Sequence, residues 1–309
     1  MIQPASKITG SPQSVGKHTV KLEIEIAGNP VVLCLDKLNE RVIVLRYDIE
    51  DIIPLVRYLH DFALLNGFSK VIVVARDEDW QHFIAQGYVL EGVNNGQYQG
   101  RPGYYVAKFY GKQRHISTTL PEEDDILRNV LEYPANPCPP ALPAKFILRD
   151  ASPEDVEQMA LLYKNIFSSY PSPITEYSYL QNYLTANPFK IILHGDRIVG
   201  AASAETDRAN MTAEITDCAC LTEYRGQGLV SCAVDALEQD LLREGVKNFY
   251  SIARAKSPGI NTVLRKLGYT YGGRLINNCT ICGQFEDMNL WFKKYETSSS
   301  FKSITARSV

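Results

Sequence analysis

The segment LTEYRGQGLV at residues 221–230 decides the fold of this chain. A strand-like run ends here, and Gly226 and Gly228 precede an amphipathic helix whose apolar residues recur at helical spacing. Unpaired backbone N–H groups and the positive end of the helix dipole therefore meet at one point. Such a point favours an anion, and we expect a pyrophosphate there.

The predicted elements around this loop follow one order through the second half of the chain. Before the loop, the sequence predicts a strand at 144–151, a helix that begins at Ser152 and Pro153, a helix at 175–185, a hairpin that turns at Gly195 and Asp196, and a strand at 212–221. After the loop helix, it predicts a strand at 248–254, a helix that ends at 263–269, and two strands near 272–281 and 286–292.

This order resembles the GNAT superfamily of acyl-CoA-dependent N-acetyltransferases. The resemblance implies a mixed α/β fold in the C-terminal half, with acetyl-CoA as the acetyl donor. In that family an R/Q-x-x-G-x-G/A turn holds the coenzyme A pyrophosphate. Here Arg225 and Gly228 fill the first two positions, and Val230 stands where a Gly or Ala is usual, a departure that leaves the backbone amide in place. The implied coenzyme-binding residues are Cys218, Ala219, Cys220, Leu221, Arg225, Gly226, Gln227, Gly228, Leu229, Val230 and Ser257.

The resemblance also exposes a departure from the family pattern. Ser257 stands where many members carry an Asn that contacts coenzyme A, and Leu264 stands where many carry a Tyr that acts as general acid. Tyr269 and Tyr271 are the nearby substitutes, and we take Tyr269 as the candidate acid. Core packing is the more common role of an aromatic residue at such a position.

Four segments narrow the resemblance to the beta-lysine N-acetyltransferase family, whose members acetylate the terminal amine of beta-lysine to make a compatible solute. Tyr170 opens the first segment and is a candidate substrate-binding residue. The segments are YPSPITEYSYL (170–180), AEITDCACLTEYRGQGL (213–229), SIARAKSPGIN (251–261) and YGGRLINNCTICGQFEDMNLWFK (271–293).

The first half of the chain repeats part of the second. A shift of 178 positions lays residues 67–76 on 245–254, and the place of the glycine loop is then taken by YDIEDI at 47–52. Three acids and no glycine would repel a pyrophosphate. We interpret residues 18–133 as a degenerate GNAT-like domain without a coenzyme site; the alternative is an unrelated α/β domain with a chance echo.

The remaining boundaries follow from composition. Residues 1–17 and 297–309 read as flexible ends, 134–143 as a proline-rich linker, and 144–296 as the catalytic domain. A net charge of −3 and a pI near 6.0 argue against a nucleic-acid surface. With no signal-like or membrane-spanning stretch, we expect a cytoplasmic protein without a membrane partner, and a homo-oligomer stays open.

Cysteine and histidine usage predicts no metal site. The five histidines are scattered, and the seven cysteines have no disulfide-like spacing. Cys279 and Cys282 form a CxxC, but they lie in a predicted strand, where residues three apart face opposite sides. We therefore expect structural thiols, and Cys218 and Cys220 are most simply small apolar fillers.

Acetyl transfer requires a base, because a lysine-like amine with a pKa of about 10.4 is protonated at neutral pH. Glu214 and Asp217 precede the loop, and their odd separation places them on opposite faces of a regular strand. We favour Glu214, although a bulge would reverse the choice. The alternative is that either acid only caps or solvates the strand end. Backbone N–H groups at 218–221 would polarise the thioester carbonyl.

The amino-acid end of the substrate calls for a cation and polar side chains. Arg254 or Arg274 could hold a carboxylate. Asn277 and Asn278 disfavour a plain strand, so we expect them to line the substrate pocket, with a turn as the alternative.

Three functions remain open from the sequence. The first is a small-molecule amine N-acetyltransferase that acts on beta-lysine. The second is a polyamine or protein acetyltransferase, and the third is a non-catalytic module that binds coenzyme A, which the absence of Tyr at position 264 keeps open.

Overall fold

The computed structural model describes residues 6–10, 12–16, 18–111, 113–135, 140–167, 172–281 and 283–295. The predictions for the chain ends and for much of the linker fall outside these ranges. So do those for Tyr170 and Cys282.

The first half contains eight strands and two helices among the described residues. Their bounds are β1 (Ser6–Ile8), β2 (Gln13–Gly16), β3 (Thr19–Ile26), β4 (Asn29–Asp36), β5 (Arg41–Tyr47), α1 (Ile53–Asn66), β6 (Lys70–Ala75), α2 (Trp80–Ala85), β7 (Val89–Tyr98) and β8 (Arg101–Phe109). Helix α3 (Leu120–Leu131) follows.

The second half follows the predicted order, with two short 3-10 turns added at Pro153–Asp155 and Thr222–Tyr224. Its elements are β9 (Phe146–Asp150), α4 (Val156–Ile166), α5 (Tyr177–Ala186), β10 (Phe189–His194), β11 (Arg197–Asp207), β12 (Thr212–Cys220), α6 (Leu229–Arg243), β13 (Asn248–Arg254), α7 (Pro258–Lys266), β14 (Thr270–Ile281) and β15 (Gln284–Lys294). The Asp155 carboxylate accepts hydrogen bonds from the backbone N–H and the hydroxyl of Ser152, as expected of a capping box.

All the described strands join one sheet, and its two halves have the same internal order. From the outer strand inward, the first half runs β3-β4-β5-β6-β8-β7 and the second runs β10-β11-β12-β13-β15-β14. In each half one parallel pair, β5 with β6 and β12 with β13, is bridged by a helix, and all other neighbours are antiparallel. The sequence repeat therefore corresponds to a repeat of topology.

The two halves meet at a pair of glycines. Gly92 in β7 pairs with Gly273 in β14, and this is the single registered pair between these strands. Gly273 has a φ of 147°, and a Cβ there would overlap the backbone of Glu91 and Gly92. Glycine is required at this position because the strands approach closely and the backbone is left-handed.

Beyond this junction β7 also contacts β12, β13 and β15, so the sheet folds back and one face of each half lies against the other. We call these the inner faces. The inner face of the second half carries Glu205, Glu214, Tyr250, Ile252 and Leu290, which follow from the strand registers. Val74 and Tyr105 of the first half belong to the same apolar cluster as the last three of these residues. The tip of the β7–β8 hairpin is also fixed, because Gln99 N–H donates to the Asn210 carbonyl at 3.0 Å.

Helices α4, α6 and α7 complete the core of the second half, which forms one buried cluster that includes Phe146, Leu237 and Trp291. Helix α3 lies within the 18–133 range, yet it packs on α7, and its Val130 belongs to that same cluster. No helix among the described residues is long and apolar enough to cross a membrane.

Candidate active site

The open edge of strand β12 is the first feature of the site. β12 pairs with β13 only from Thr212 to Glu214, and the two strands then diverge. Leu221 N–H donates to the Val199 carbonyl in β11 at 2.9 Å. Because N–H groups alternate in direction along an antiparallel strand, the N–H of Cys220 points to the open edge.

The glycine loop connects this edge to helix α6. Gly226 and Gly228 have φ values of 77° and 73°, and Gly228 is the N-cap of α6. No side chain caps this helix, and the N–H groups of residues 226–231 have no acceptor among the described residues. Several free donors at a helix N-terminus form an anion site, which fits the predicted pyrophosphate.

Pro140, in the predicted linker, contacts the same loop. A Cβ on Gly228 would overlap the ring of Pro140, and the Cys232 thiol donates to the Pro140 carbonyl at 3.1 Å. Gly228 is thus restricted both by its left-handed backbone and by a neighbour, whereas a Cβ on Gly226 would meet nothing within 4 Å.

The other predicted coenzyme residues surround this loop. The exposed Arg225 donates from Nε to the Cys220 carbonyl at 3.3 Å, and Gln227 donates to the Tyr224 carbonyl at 3.3 Å. Ala219, Cys220, Leu221 and Leu229 are buried, and Val230 is half-buried. Ser257 lies on a different element as the N-cap of α7, and its side chain makes no cap hydrogen bond.

A bulge in β12 places both candidate acids on the inner face. The register with β11 shifts between Ala201 and Ser203, and Asp217 has a φ of 51°. The Ser203 hydroxyl donates to the Asp217 carboxylate at 2.6 Å, on the same face as Glu205 and Glu214. The expectation that Glu214 and Asp217 face opposite sides is therefore wrong, because the extra residue of the bulge breaks strand alternation.

Glu214 has the electrostatics of a general base. Burial and the neighbouring Glu205 carboxylate raise its pKa to about 8, with Asp217 acting in the same direction, while the Tyr250 hydroxyl and Arg41 act against them. Glu205 is directly opposite Glu214 in the β11–β12 ladder. A base is most effective when its pKa is near the working pH.

Several residues of this acidic surface were not expected from the sequence. Tyr183 donates a hydrogen bond to Glu205, and Tyr163 donates to the backbone carbonyl of Asp217 at 2.9 Å. The position of Glu205 opposite Glu214 could have been predicted from the sequence, because a hairpin that pairs Asp207 with Thr212 also pairs Glu205 with Glu214. The tyrosines come from α4 and α5, and no local pattern indicates their partners.

The two cysteines beside the acids are neutral thiols. Burial, followed by the charge of Asp217, raises the pKa of Cys218 to about 12, and burial raises that of Cys220 to about 11. A protonated thiol is a poor nucleophile, so neither side chain is suited to covalent catalysis.

Tyr269 lies in a buried network on the opposite face of the sheet. Its hydroxyl donates to Glu238 at 2.6 Å, and the same carboxylate accepts from Lys293 at 2.6 Å and from Tyr295 at 2.8 Å. Tyr269 is fully buried, and so is Leu264. We therefore give Tyr269 a structural role and leave it out of the proton path proposed below.

Both arginines expected to bind a carboxylate already contact carboxylates of the chain. Arg254 forms a two-pronged ion pair with Glu286, at 2.8 and 2.7 Å. Arg274 is buried and pairs with Asp124 at 2.7 Å. To bind a substrate carboxylate, either arginine would have to break its present ion pair.

Asn277 and Asn278 form a bulge in β14 that joins the two halves of the chain. Asn277 has a φ of 46°, and its side chain donates to the carbonyls of Arg114 and Ile116 at 3.0 and 3.1 Å. The Asn278 carbonyl accepts from Arg41 at 3.0 Å. The pair therefore interrupts the strand, as their low strand propensity predicts.

Two other features of the described residues offer no alternative site. Among the described residues, no group of three or more His, Cys, Asp or Glu side chains could hold a metal ion. A cavity of about 460 Å³ lies between the first half and the β11–β12 turn, lined in part by Arg46, Tyr98 and Asn210, and it contains none of the predicted site residues.

The diverging strands, the uncapped glycine loop and the acidic surface together form the candidate active site. The profile of the Acetyltransferase (GNAT) family matches residues 156–269. The N-acetyltransferase YodP of Bacillus subtilis is 36% identical over 88% of this chain and 98% of its own length. The beta-lysine N(6)-acetyltransferases of Methanococcus maripaludis and Methanosarcina mazei are each 32% identical, over 87% and 72% of this chain and 97% and 90% of their own lengths. The chain belongs to the GNAT acetyltransferase family and is an N-acetyltransferase.

Proposed function

We propose that this enzyme transfers the acetyl group of acetyl-CoA to the side-chain amine of beta-lysine, giving N6-acetyl-beta-lysine. The observation that carries the proposal is the position of Glu214. Glu214 is the last residue of β12 that pairs with β13 before the two strands diverge. A carboxylate with a raised pKa therefore lies where the open edge begins. The two relatives named beta-lysine N(6)-acetyltransferase support the choice of substrate.

The glycine loop and the open edge of β12 have separate roles in acetyl transfer. The free N–H groups of residues 226–231 would hold the pyrophosphate, and the Cys220 N–H would donate to the thioester carbonyl oxygen as its negative charge grows. When bound, acetyl-CoA supplies an acetyl group activated as a thioester. Glu214 accepts a proton from the substrate ammonium, which frees the nitrogen lone pair for attack on the carbonyl carbon.

No side chain needs to replace the missing Tyr at position 264. A thiol with a pKa of about 8.5 can leave as a thiolate without help from an acid. The ammonium nitrogen loses two protons on becoming an amide: Glu214 takes the first before the C–N bond forms, and the second leaves the nitrogen as the C–S bond breaks. The departing thiolate takes up the second proton to give the thiol, and Glu214 passes the first to solvent, so one net proton is released.

We further propose that the first half is a degenerate GNAT-like domain without a coenzyme site. It shares the strand order of the second half, but three acids at positions 48, 50 and 51 precede α1. The Asp51 carboxylate accepts the N–H of Ile53 at 3.0 Å, so the chain's own anion takes one of the free helix donors. Calorimetric titration should give one acetyl-CoA per chain; a stoichiometry of two would contradict this assignment.

The acidic surface also favours a second candidate, a polyamine acceptor, because Glu205, Glu214 and Asp217 share one face. A thiol-release assay with acetyl-CoA separates the candidates. We expect the highest kcat/KM with beta-lysine among beta-lysine, lysine, ornithine, spermidine and a lysine peptide. Preference for spermidine or the peptide would overturn the proposed substrate, and no thiol release with any acceptor would overturn the reaction.

A further inference from the structure

The inner faces carry opposite charges at their two ends. Glu205, Glu214 and Asp217 lie on the second half, next to the open edge of β12. Arg41 begins β5 on the inner face of the first half, since it pairs with Lys70, whose side chain shares a face with Val74. An elongated acceptor with an ammonium at one end and a carboxylate at the other matches this arrangement.

Arg41 reaches from the first half to the second. Its Nε donates to Asp36 at 2.9 Å and its NH1 to the Asn278 carbonyl in β14 at 3.0 Å. The side chain is 13% exposed, and among the described residues its NH2 has no hydrogen-bond acceptor. These two contacts hold the guanidinium in place and leave one of its edges available.

A second arginine adds positive charge at the same place. Arg114 donates from NH2 to the Asn39 carbonyl at 2.7 Å and stacks on the Phe285 ring. It is 5% exposed, and among the described residues no ion pair includes it and neither its Nε nor its NH1 has a hydrogen-bond partner. Glu40 and Glu91 act on its charge through space, but its two free donors would still stabilise an anion beside them.

We propose that Arg41 binds the carboxylate of the amino-acid acceptor, with Arg114 adding positive charge behind it. The proposal rests on the function given above and assigns the first half a direct part in substrate selection. Arg41 is ion-paired with Asp36 through Nε, but its NH2 keeps a donor edge without an acceptor among the described residues. Arg274 is less suitable, because all three of its guanidinium nitrogens already donate hydrogen bonds. Arg254 is less suitable because two of its nitrogens bind Glu286. The charge of Arg41 acts to lower the pKa of Glu214. The carboxylate end and the ammonium end of the acceptor site therefore lie close enough to interact electrostatically.

A substrate that lacks only the carboxylate gives the sharpest test. 1,4-Diaminopentane keeps both amines of beta-lysine at the same spacing. In Arg41→Gln, kcat/KM for beta-lysine should fall about 100-fold while that for 1,4-diaminopentane stays within about twofold, because only the first acceptor uses the charged contact. Arg41→Lys should recover part of the loss. Arg46→Gln, on the same strand and exposed, is the control and should change neither value.

The outcomes separate this inference from the proposed function. An equal loss with both acceptors would mean that Arg41 is structural, and no loss with either would place the carboxylate elsewhere. If Arg41→Gln does not fold, the wild-type ratio decides, because equal kcat/KM for the two acceptors would exclude carboxylate recognition. A wild-type enzyme inactive with both acceptors would instead refute the proposed function.

Discussion

Glu205 and Glu214 lie directly opposite each other on β11 and β12, so two carboxylates share one position on the inner face. Like charges in this arrangement repel, and together with burial they raise the pKa of Glu214 to about 8. A bound ammonium relieves that repulsion, which links substrate binding to the ionisation of the base.

The first prediction concerns this base. Because only ionised Glu214 accepts a proton, wild-type kcat/KM should rise with pH and level off above about 8. Glu214→Gln should lower kcat by ~10²- to 10⁴-fold near neutral pH. The deficit should shrink toward pH 10, where the free amine becomes abundant. Steady-state pH–rate profiles with beta-lysine measure this effect.

Asp217→Asn provides the matched control. Asn tolerates a positive φ and still accepts a hydrogen bond from Ser203, so the bulge should persist. We expect KM to change more than kcat. The rise of kcat/KM with pH should be retained, with its midpoint moved to lower pH, because the Asp217 charge contributes to the raised pKa of Glu214. A pH profile that is lost in Asp217→Asn and kept in Glu214→Gln would exchange the two roles.

The second prediction concerns stability. The folded state raises the pKa of Glu214 above its ordinary value of 4.5, so between pH 4.5 and about 8 it holds more protons than the unfolded state. The contribution of Glu214 to the free energy of unfolding therefore falls as pH rises from 4.5 to about 8. Glu214→Gln removes the penalty and should raise Tm by a few degrees at pH 8.5 and less at pH 5.5. Equal Tm differences at both values, measured by calorimetry, would contradict the shift.

The third prediction concerns the anion cradle. Gly226→Ala adds a Cβ in open space but strains a residue with a φ of 77°, by about 1–2 kcal/mol. We expect the loop to shift and the Kd for acetyl-CoA to rise about tenfold in calorimetric titrations. Gly259→Ala in α7 also meets nothing within 4 Å and has no positive φ, so it should leave Kd unchanged. Equal Kd values for both variants would remove the loop from coenzyme binding.

The fourth prediction concerns Tyr269. Tyr269→Phe removes a 2.6 Å hydrogen bond to the buried Glu238 and should lower the free energy of unfolding by about 1.5–3 kcal/mol. Its kcat should stay near wild type, because the phenol belongs to the opposite face. Tyr177→Phe, at an exposed position, is the control for stability. A large loss of kcat without a loss of stability would restore Tyr269 as the general acid.

The sequence by itself determined the elements and the glycine loop, because these depend on neighbouring residues. Strand β13 begins and ends at Asn248 and Arg254 as predicted. Gly226 and Gly228 have positive φ values, which glycine adopts without strain. The repeat at a shift of 178 also predicted a relation between the halves that the strand order shows.

Only the tertiary structure decided which charged groups meet. The bulge at Asp217 reverses strand alternation, and nothing local to TAEITDCAC fixes where the extra residue falls. Arg254 and Arg274 bind carboxylates that are 32 and 150 residues away in the sequence. Arg41 donates to the Asn278 carbonyl, which is 237 residues away. Propensity and periodicity act over a few residues, whereas these contacts exist only after the sheet has folded back at Gly92 and Gly273.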